Sequence, residues 1–178
     1  LRDYLGKVTG AQFAVYRESE AAGKPLRILV GQCRELKTLA PRLDLAALGT
    51  EGIAIKTIGD TLILAGGRPR GTLYAVYTFL EDVVGCRWWT SSESFAPKKT
   101  RLRIRDLDIN YKPGFLYRET FYREAIKNPD YAVKLKLNGH YSDIHTEYGG
   151  HFSIIGFVHT FYQFLPPEKY FAEHPEWY

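Results

Sequence analysis

The sequence has no methionine and only two cysteines, Cys33 and Cys86, among its 178 residues. These cysteines lie too far apart for a CxxC motif, which excludes a metal or redox site of that type. One disulfide and two buried thiols both remain open as interpretations. No apolar run reaches the roughly 18 residues that a membrane span requires, so we expect no membrane partner.

Positive charge is not concentrated anywhere in the sequence. The net charge is +4, and the 24 lysines and arginines are spread along the chain without a dense block. Proteins that bind duplex nucleic acid usually concentrate such charge on one stripe. The composition therefore disfavours a nucleic-acid partner, although arginines interleaved with aromatic residues keep single-strand binding as a weaker alternative.

Aromatic residues, in contrast, are abundant. The chain has 13 tyrosines, 10 phenylalanines and 3 tryptophans, which together make up 15% of it. Such a content is typical of large packing surfaces or of stacking platforms. Trp88 and Trp89 directly follow a helical pattern, which favours packing against a second domain over a platform that stacks on sugars.

The chain is organised around residues 66–89. Two glycines end an apolar run, Pro69 is suited to a first helical turn, and Gly85 ends the helical pattern. The block lacks the Lys-Ser/Thr of a phosphate loop, so its glycines are expected to permit a tight turn and close helix–sheet packing. One apolar stripe recurs at helical spacing and predicts a helix that lies on a sheet: Leu73, Val76, Tyr77, Leu80, Val83 and Val84.

A β-hairpin is predicted directly before this helix. Residues 52–58 and 61–65 are rich in β-formers, and Gly59-Asp60 is suited to the two-residue turn between them. Sheet, turn and covering helix thus come from one block, which predicts an α+β fold with helices packed on one face of a small sheet.

Shorter signals complete the first 112 residues. They predict a helix that ends at Thr9-Gly10, strands at 11–16 and 26–30, a short helical or irregular segment from Glu35 to about Leu43 that Pro41 breaks, and a half-exposed edge strand through 102–109. Pro113-Gly114 then marks a boundary, which divides the chain into a domain of residues 1–112 and a second of residues 113–178.

The second domain begins with a different pattern. It predicts a strand at 115–121, a helix at 130–137, a buried strand over 154–158 with His159 at its exposed end, and a short helix at 168–173 after Pro166-Pro167. Strand, helix and strand in succession are how a parallel β/α barrel begins, and a closed barrel needs eight such units. We therefore expect residues 113–178 to be the start of a barrel that is incomplete in this chain.

Several of these motifs resemble a known group of proteins. The run Gly66 to Glu81 with Gly85-Cys86-Arg87-Trp88-Trp89 resembles the accessory domain before the catalytic barrel of bacterial α-glucuronidases and β-N-acetylhexosaminidases. The closest likeness is to a large uncharacterised family related to them. Its further motifs are a Pro-x-Phe-x-Tyr-Arg strand at 113–118, an Asn-Gly segment at 138–139, His-Thr-Phe at 159–161 and Pro-Pro-x-x-Tyr-Phe-x-x-His-Pro-Glu at 166–176.

The resemblance implies a function as well as a fold. It implies a domain similar to the second domain of hexosaminidases, followed by the first strands of a (β/α)₈ barrel. The chain is then the accessory part of a periplasmic or extracellular glycoside hydrolase-like protein. Its expected partners are an oligosaccharide or polysaccharide and the remaining barrel, and no cofactor is expected. The alternative is a non-catalytic carbohydrate-binding or scaffold module.

Glycoside hydrolysis usually needs two carboxyl groups, which related barrels place on later strands, so we expect the catalytic pair to lie outside these residues. One wall of a substrate site is still predicted. Its candidate contacts are His159 at the end of an apolar run, Arg118 and Glu119 at the end of the first barrel strand, His151 after two glycines, and Asn138 of the Asn-Gly segment. For Arg118 and Glu119 the alternative is a structural ion pair. His140, Asp143, His145, Glu147 and His151 do not have metal-ligand spacing, so no metal site is expected.

Overall fold

The computed structural model describes residues 1–21, 23–156 and 158–178. A mixed sheet of four strands lies at its centre, and a separate pair of short strands lies beside it. This confirms the α+β class. The strands are β1 (Arg27–Val30), β2 (Ile53–Ile58), β3 (Thr61–Gly66), β4 (Arg87–Trp88), β5 (Ser94–Phe95) and β6 (Asp108–Tyr111).

The order in the main sheet is β1-β3-β2-β6. β1 is parallel to β3, whereas β2 is antiparallel to both β3 and β6. The hairpin of β2 and β3 is confirmed, with Gly59 at φ 54° in its turn. The predicted edge strand is confirmed for its last part only, because β6 begins at Asp108.

Short helices surround the sheet. The α-helices are α1 (Arg2–Thr9), α2 (Glu18–Ala21), α3 (Arg34–Leu39), α4 (Gly71–Thr78), α5 (Arg123–Lys127), α6 (Pro129–Lys134), α7 (Phe161–Phe164) and α8 (Pro167–Tyr170). A π-helix, Phe79–Val84, continues α4, and 3₁₀ turns occupy Thr146–Tyr148 and Pro175–Trp177. No helix of the described residues is both long enough and apolar enough to cross a membrane.

Both faces of the sheet are covered, so the expectation of helices on one face is wrong. Leu62 and Leu64 pack into the main core with α1 and α4, whereas Ile63 and Ala65 pack on the opposite face with Leu36 of α3. All six residues of β3 are buried. A strand buried on both faces has no alternation of polar and apolar residues, and the continuous apolar run of β3 indicates this in the sequence.

The helix predicted within residues 66–89 is confirmed, including its end at Gly85, where φ is 93°. It begins at Gly71, so the expectation that Pro69 lies in its first turn is wrong. Its start packs so closely on the hairpin that a Cβ atom on Gly71 would overlap the carbonyl oxygen of Gly52. The two glycines Gly66 and Gly67 have similar backbone contacts. The interpretation that these glycines serve close packing is therefore confirmed.

The two tryptophans have different environments. Trp88 lies in the main core, where its indole Nε1–H donates to Tyr4 Oη at 2.6 Å and its ring meets Tyr4 and Tyr77 edge to face. Trp89 is exposed and stacks on Phe95. The same core contains Ala125 and Tyr131 of the C-terminal part. Trp88 thus packs mainly against α1 and α4, and the domain boundary at 113–114 stays a prediction.

Three predicted strands are absent from the described residues. The described residues of the run 154–158 form no strand, and the side chains of Ile155 and Val158 are exposed, so the buried strand expected before His159 is wrong for them. Residues 11–16 form no strand, and the side chains of Val15 and Tyr16 are exposed. Residues 115–121 also form no strand. There the Arg118 N–H donates to the side-chain oxygen of Asn138 at 2.8 Å and not to a backbone carbonyl of a neighbouring strand.

Both cysteines are free thiols. Cys86 is completely buried in the main core, and this burial raises the pKa of its thiol. Cys33 precedes α3 and is only half-buried. The interpretation as buried thiols is thus correct for Cys86 and only partly so for Cys33.

Candidate functional site

A buried carboxylate, Glu51, connects the two parts of the chain. It follows the loop before β2 and is 4% exposed. Its Oε1 accepts from Arg70 Nε and Asn138 Nδ2, each at 2.6 Å, and its Oε2 lies 2.7 Å from Arg118 Nη1. Burial raises the pKa of this carboxyl, but the hydrogen bonds from Arg118, Asn138 and Arg70 outweigh it and hold the pKa below its ordinary value. Glu51 is therefore ionised at neutral pH.

Three extended segments of the C-terminal part lie side by side next to Glu51. The Asn138 N–H donates to the Arg118 carbonyl at 3.1 Å, and the Phe152 N–H donates to the Asn138 carbonyl at 2.8 Å. The Asn138 side chain is 0% exposed and also binds the Arg118 N–H and the Leu116 carbonyl. Asn138 therefore joins these segments to the sheet and does not face solvent.

Arg118 has a structural ion pair, but its partner is Glu51 and not the neighbouring Glu119. Its guanidinium also donates to the carbonyls of Lys136 and Phe115 at 3.0 and 2.8 Å and lies over the ring of Tyr74. Its buried Nη2 atom has no hydrogen-bond partner among the described residues. Most hydrogen-bond donors of the Arg118 guanidinium are thus bound within the protein.

Arg70 holds the loop that precedes His151. Its Nη1 donates to the Gly149 carbonyl at 2.8 Å. Gly149 has φ 94°, and a Cβ atom there would lie 2.5 Å from Arg70 Cγ. The sharp turn expected at Gly149-Gly150 is confirmed, since Gly150 has φ 69°.

A second polar cluster surrounds Glu119, which is half-buried. Its Oε1 accepts from the Tyr141 N–H at 2.6 Å, and its Oε2 accepts from the Tyr117 hydroxyl. Burial, followed by the bond to Glu119, raises the pKa of Tyr117. Gly139 is required at this point, because a Cβ atom there would overlap the Glu119 carboxyl group. The segments thus fix one carboxylate at a partly open surface.

The two predicted histidines lie in different surroundings. His151 is half-buried, and its Nδ1 lies 3.0 Å from the Phe152 carbonyl oxygen. His159 is exposed and has φ 55°, in the left-handed region. Phe157, which belongs to the apolar run expected before His159, lies outside the described residues. Arg118, Glu119, Asn138 and the loop of His151 come together, whereas no contact in the described chain joins His159 to them.

The polar residues between 140 and 151 do not converge. His140 accepts from the Ile154 N–H through Nδ1, and Asp143, His145 and Glu147 are exposed. Across the described parts of the chain, no three His, Cys, Asp or Glu side chains lie close enough together to hold a metal ion.

Residues 88–178 match a family model described as a domain of unknown function, DUF4838. The chain belongs to this family. No curated protein and no solved structure matches the chain. The five predicted contact residues all lie inside the matched range, whereas Glu51 and Arg70 lie before it. The family region is thus fixed to the preceding sheet through a buried ion network.

Sequence reasoning did not identify Glu51 and Arg70 as members of this network. Glu51 stands in a short polar stretch between two turns, where a solvated carboxylate is the ordinary expectation. Arg70 belongs to a motif that was interpreted through its glycines. Glu51 is separated only by Gly52 from an apolar run, where a charged side chain needs a partner, whereas no comparable local signal distinguishes Arg70 from the exposed Arg68.

Proposed function

We propose that this chain is the accessory N-terminal part of a carbohydrate-active, glycoside hydrolase-like protein that supports the start of its barrel. The observation that carries the proposal is the buried contact of Glu51 with Arg118 and Asn138. Because an unpaired buried charge costs several kcal/mol, this contact holds the sheet and the three extended segments in one orientation. An accessory domain that braces a barrel needs such a fixed connection.

An exposed aromatic surface near the C-terminus supports the same proposal. Phe161, Tyr162, Phe171 and Tyr178, here the terminal aromatic cluster, contact one another with ring centroids 5.5 to 6.2 Å apart. All four remain exposed. Large exposed apolar patches mark interaction surfaces. In our proposal the partner that binds this cluster is the remainder of the barrel.

The substrate wall in this proposal consists of Glu119 and His151, and the exposed His159 is a separate proposed contact. Glu119 has two donors within the protein, so its carboxylate retains acceptor capacity for sugar hydroxyls. Arg118 and Asn138 are then positioning residues, because their polar atoms face Glu51 and backbone carbonyls. The catalytic carboxylates belong to later strands of the barrel.

Hydrolysis of a panel of aryl glycosides, glucuronide and N-acetylhexosaminide included, tests this proposal. The 178-residue chain and the full-length gene product are compared side by side. We expect only the full-length product to cleave a substrate. If the 178-residue chain cleaves a substrate by itself, the accessory assignment is overturned. The catalytic pair then lies among Glu119, Glu124, Asp143 and Glu147.

A non-catalytic carbohydrate-binding module is the second candidate, and the stack of Trp89 on Phe95 favours it. Trp89 is 60% exposed, and its ring lies 5.9 Å from that of Phe95 with 27° between the planes. A flat exposed aromatic pair suits the apolar face of a sugar ring. Binding to insoluble polysaccharide tests this candidate. Retention that Trp89→Ala abolishes, and that the control Trp177→Ala preserves, supports it. Lack of hydrolysis by both the 178-residue chain and the full-length product also supports it.

A further inference from the structure

The carboxyl ends of the two parallel strands border an open cleft on the α3 side of the sheet. β1 and β3 run in the same direction with Val30 opposite Leu64, and Gln32 donates to the Gly66 carbonyl at 3.2 Å just beyond them. The cleft has a volume of about 600 Å³. In open sheets with parallel strands, small ligands bind outside this edge, and the volume is in the range of ligand sites.

Three cationic side chains line the cleft without a partner. Arg34 and Lys37 come from α3, and Arg68 comes from the turn after β3. In the described residues none of these three side chains has a hydrogen bond or an ion pair, and all three are exposed. The cations converge from two elements that are distant in sequence.

Asp44 is the one acid among the described lining residues of this cleft, and its negative charge is outnumbered by the three cations. Asp44 Oδ1 accepts from the N–H groups of Ala46 and Ala47 at 2.9 and 3.2 Å. Leu36 and Leu43 add an apolar lining. The cleft thus combines an apolar floor with a cationic rim, which is complementary to a small molecule that has an apolar face and one oxyanion group.

We infer that this cleft binds a small oxyanion-bearing ligand, with the guanidinium groups of Arg34 and Arg68 paired to its carboxylate or phosphate. Planar guanidinium groups bind such oxygens in a bidentate manner, and Lys37 adds a point charge. This site is independent of the proposed function, since it lies on the face of the sheet opposite α4 and shares no residue with Glu119 or His151.

Titration of the ¹⁵N-labelled 178-residue chain with D-glucuronate, inorganic phosphate and neutral D-glucose, followed by heteronuclear NMR at low ionic strength, tests the inference. We expect saturable shifts at the amides of residues 32–37 and 67–68 with an anion, and none with glucose. Saturation by glucuronate alone assigns a carboxylate ligand, and saturation by phosphate alone assigns a phosphate ligand.

The variant R34Q/R68Q should raise the Kd for the bound anion by about tenfold, since it removes both guanidinium partners and each exposed ion pair contributes up to about fivefold. The matched control is R101Q/R103Q, which removes two exposed arginines at a distance from the cleft. The residue between them, Leu102, packs against the main core and not against the α3 side of the sheet. Absence of saturable shifts with both anions, equal shifts with glucose, or equal weakening by the control overturns the inference.

Discussion

At the scale of single residues, Glu51 has the most exacting environment. It is a carboxylate removed from water and compensated by two guanidinium groups and one amide. Such a group costs free energy when any partner is lost, because the remaining charges stay buried. The loss of stability when Glu51 is substituted therefore includes the cost of the charges that stay buried, and not only the lost attraction.

We expect Glu51→Gln to lower the free energy of unfolding by about 3 kcal/mol, because it leaves Arg70 buried without its anion. Urea denaturation measures this. The matched control is Asp3→Asn, which breaks an exposed ion pair with Arg2 and should have little effect. An equal effect of both substitutions contradicts the assignment.

The same carboxyl group predicts a pH dependence. Its pKa in the folded chain lies below the ordinary value, so the unfolded chain binds more protons between the two values. The stability from Glu51 is fully present above about pH 4.3, the ordinary pKa of glutamate, and is lost as the pH falls through the lower folded value. The acid-unfolding curve of Glu51→Gln should therefore be flatter than that of the wild type in this range.

Gly149 and Gly150 form a natural matched pair. Both have positive φ, but only at Gly149 does an added Cβ atom meet Arg70. Gly150→Ala should cost about 1 kcal/mol for the left-handed backbone, and Gly149→Ala should cost more because it also displaces Arg70. Thermal unfolding of both variants measures the difference, and equal losses contradict the contact.

At the scale of elements, the close contact of α4 with the hairpin depends on Gly71. Any side chain there overlaps the backbone at Gly52, which no rotamer change relieves. We expect Gly71→Ala to destabilise the chain by about 2 kcal/mol or more through overpacking. Gly114→Ala, at a position with open space, is the control and should be nearly neutral. Equilibrium unfolding monitored by circular dichroism provides the measurement.

The elements that the sequence predicts correctly are those with strong local signals. Gly59-Asp60 determines the hairpin turn, and the apolar stripe with Gly85 determines the helix after β3. The errors arise where distant residues decide the outcome. Residues 115–121 have the composition of a strand, but the Arg118 N–H binds the Asn138 side chain, and no local rule contains that contact.

The candidate site shows the same limit. The resemblance assigns Arg118, Glu119 and Asn138 to one substrate wall, whereas the pairing of Arg118 with Glu51 spans 67 positions of sequence. Burial of the Asn138 side chain is likewise a tertiary property. Residue types thus indicate which segments contain the polar side chains. Only the fold shows which of these side chains are buried and position other groups, and which are exposed.

At the scale of the whole molecule, aromatic surface is distributed unevenly. The main core lies between the sheet, α1 and α4, while the side chains of α7 and their neighbours remain largely exposed. Contiguous exposed apolar surface of this kind promotes association. The 178-residue chain should therefore associate with itself as its concentration rises.

Replacing Phe164 and Phe171 with serine should reduce this association and the binding of a hydrophobic dye. Both rings are exposed, so stability should change little. Sedimentation velocity across a concentration series measures the effect, with Val15→Ser plus Leu26→Ser as the control at exposed residues elsewhere. A monomer at every concentration, or the same response in the control, contradicts the prediction.

The unequal burial of the two thiols makes the chain suitable for selective chemical labelling. Cys86 is enclosed in the core, and its raised pKa keeps it protonated and slow to react. Cys33 is partly accessible beside α3. A maleimide fluorophore should therefore attach to Cys33 alone, which places an optical reporter at the mouth of the cleft without any engineered residue.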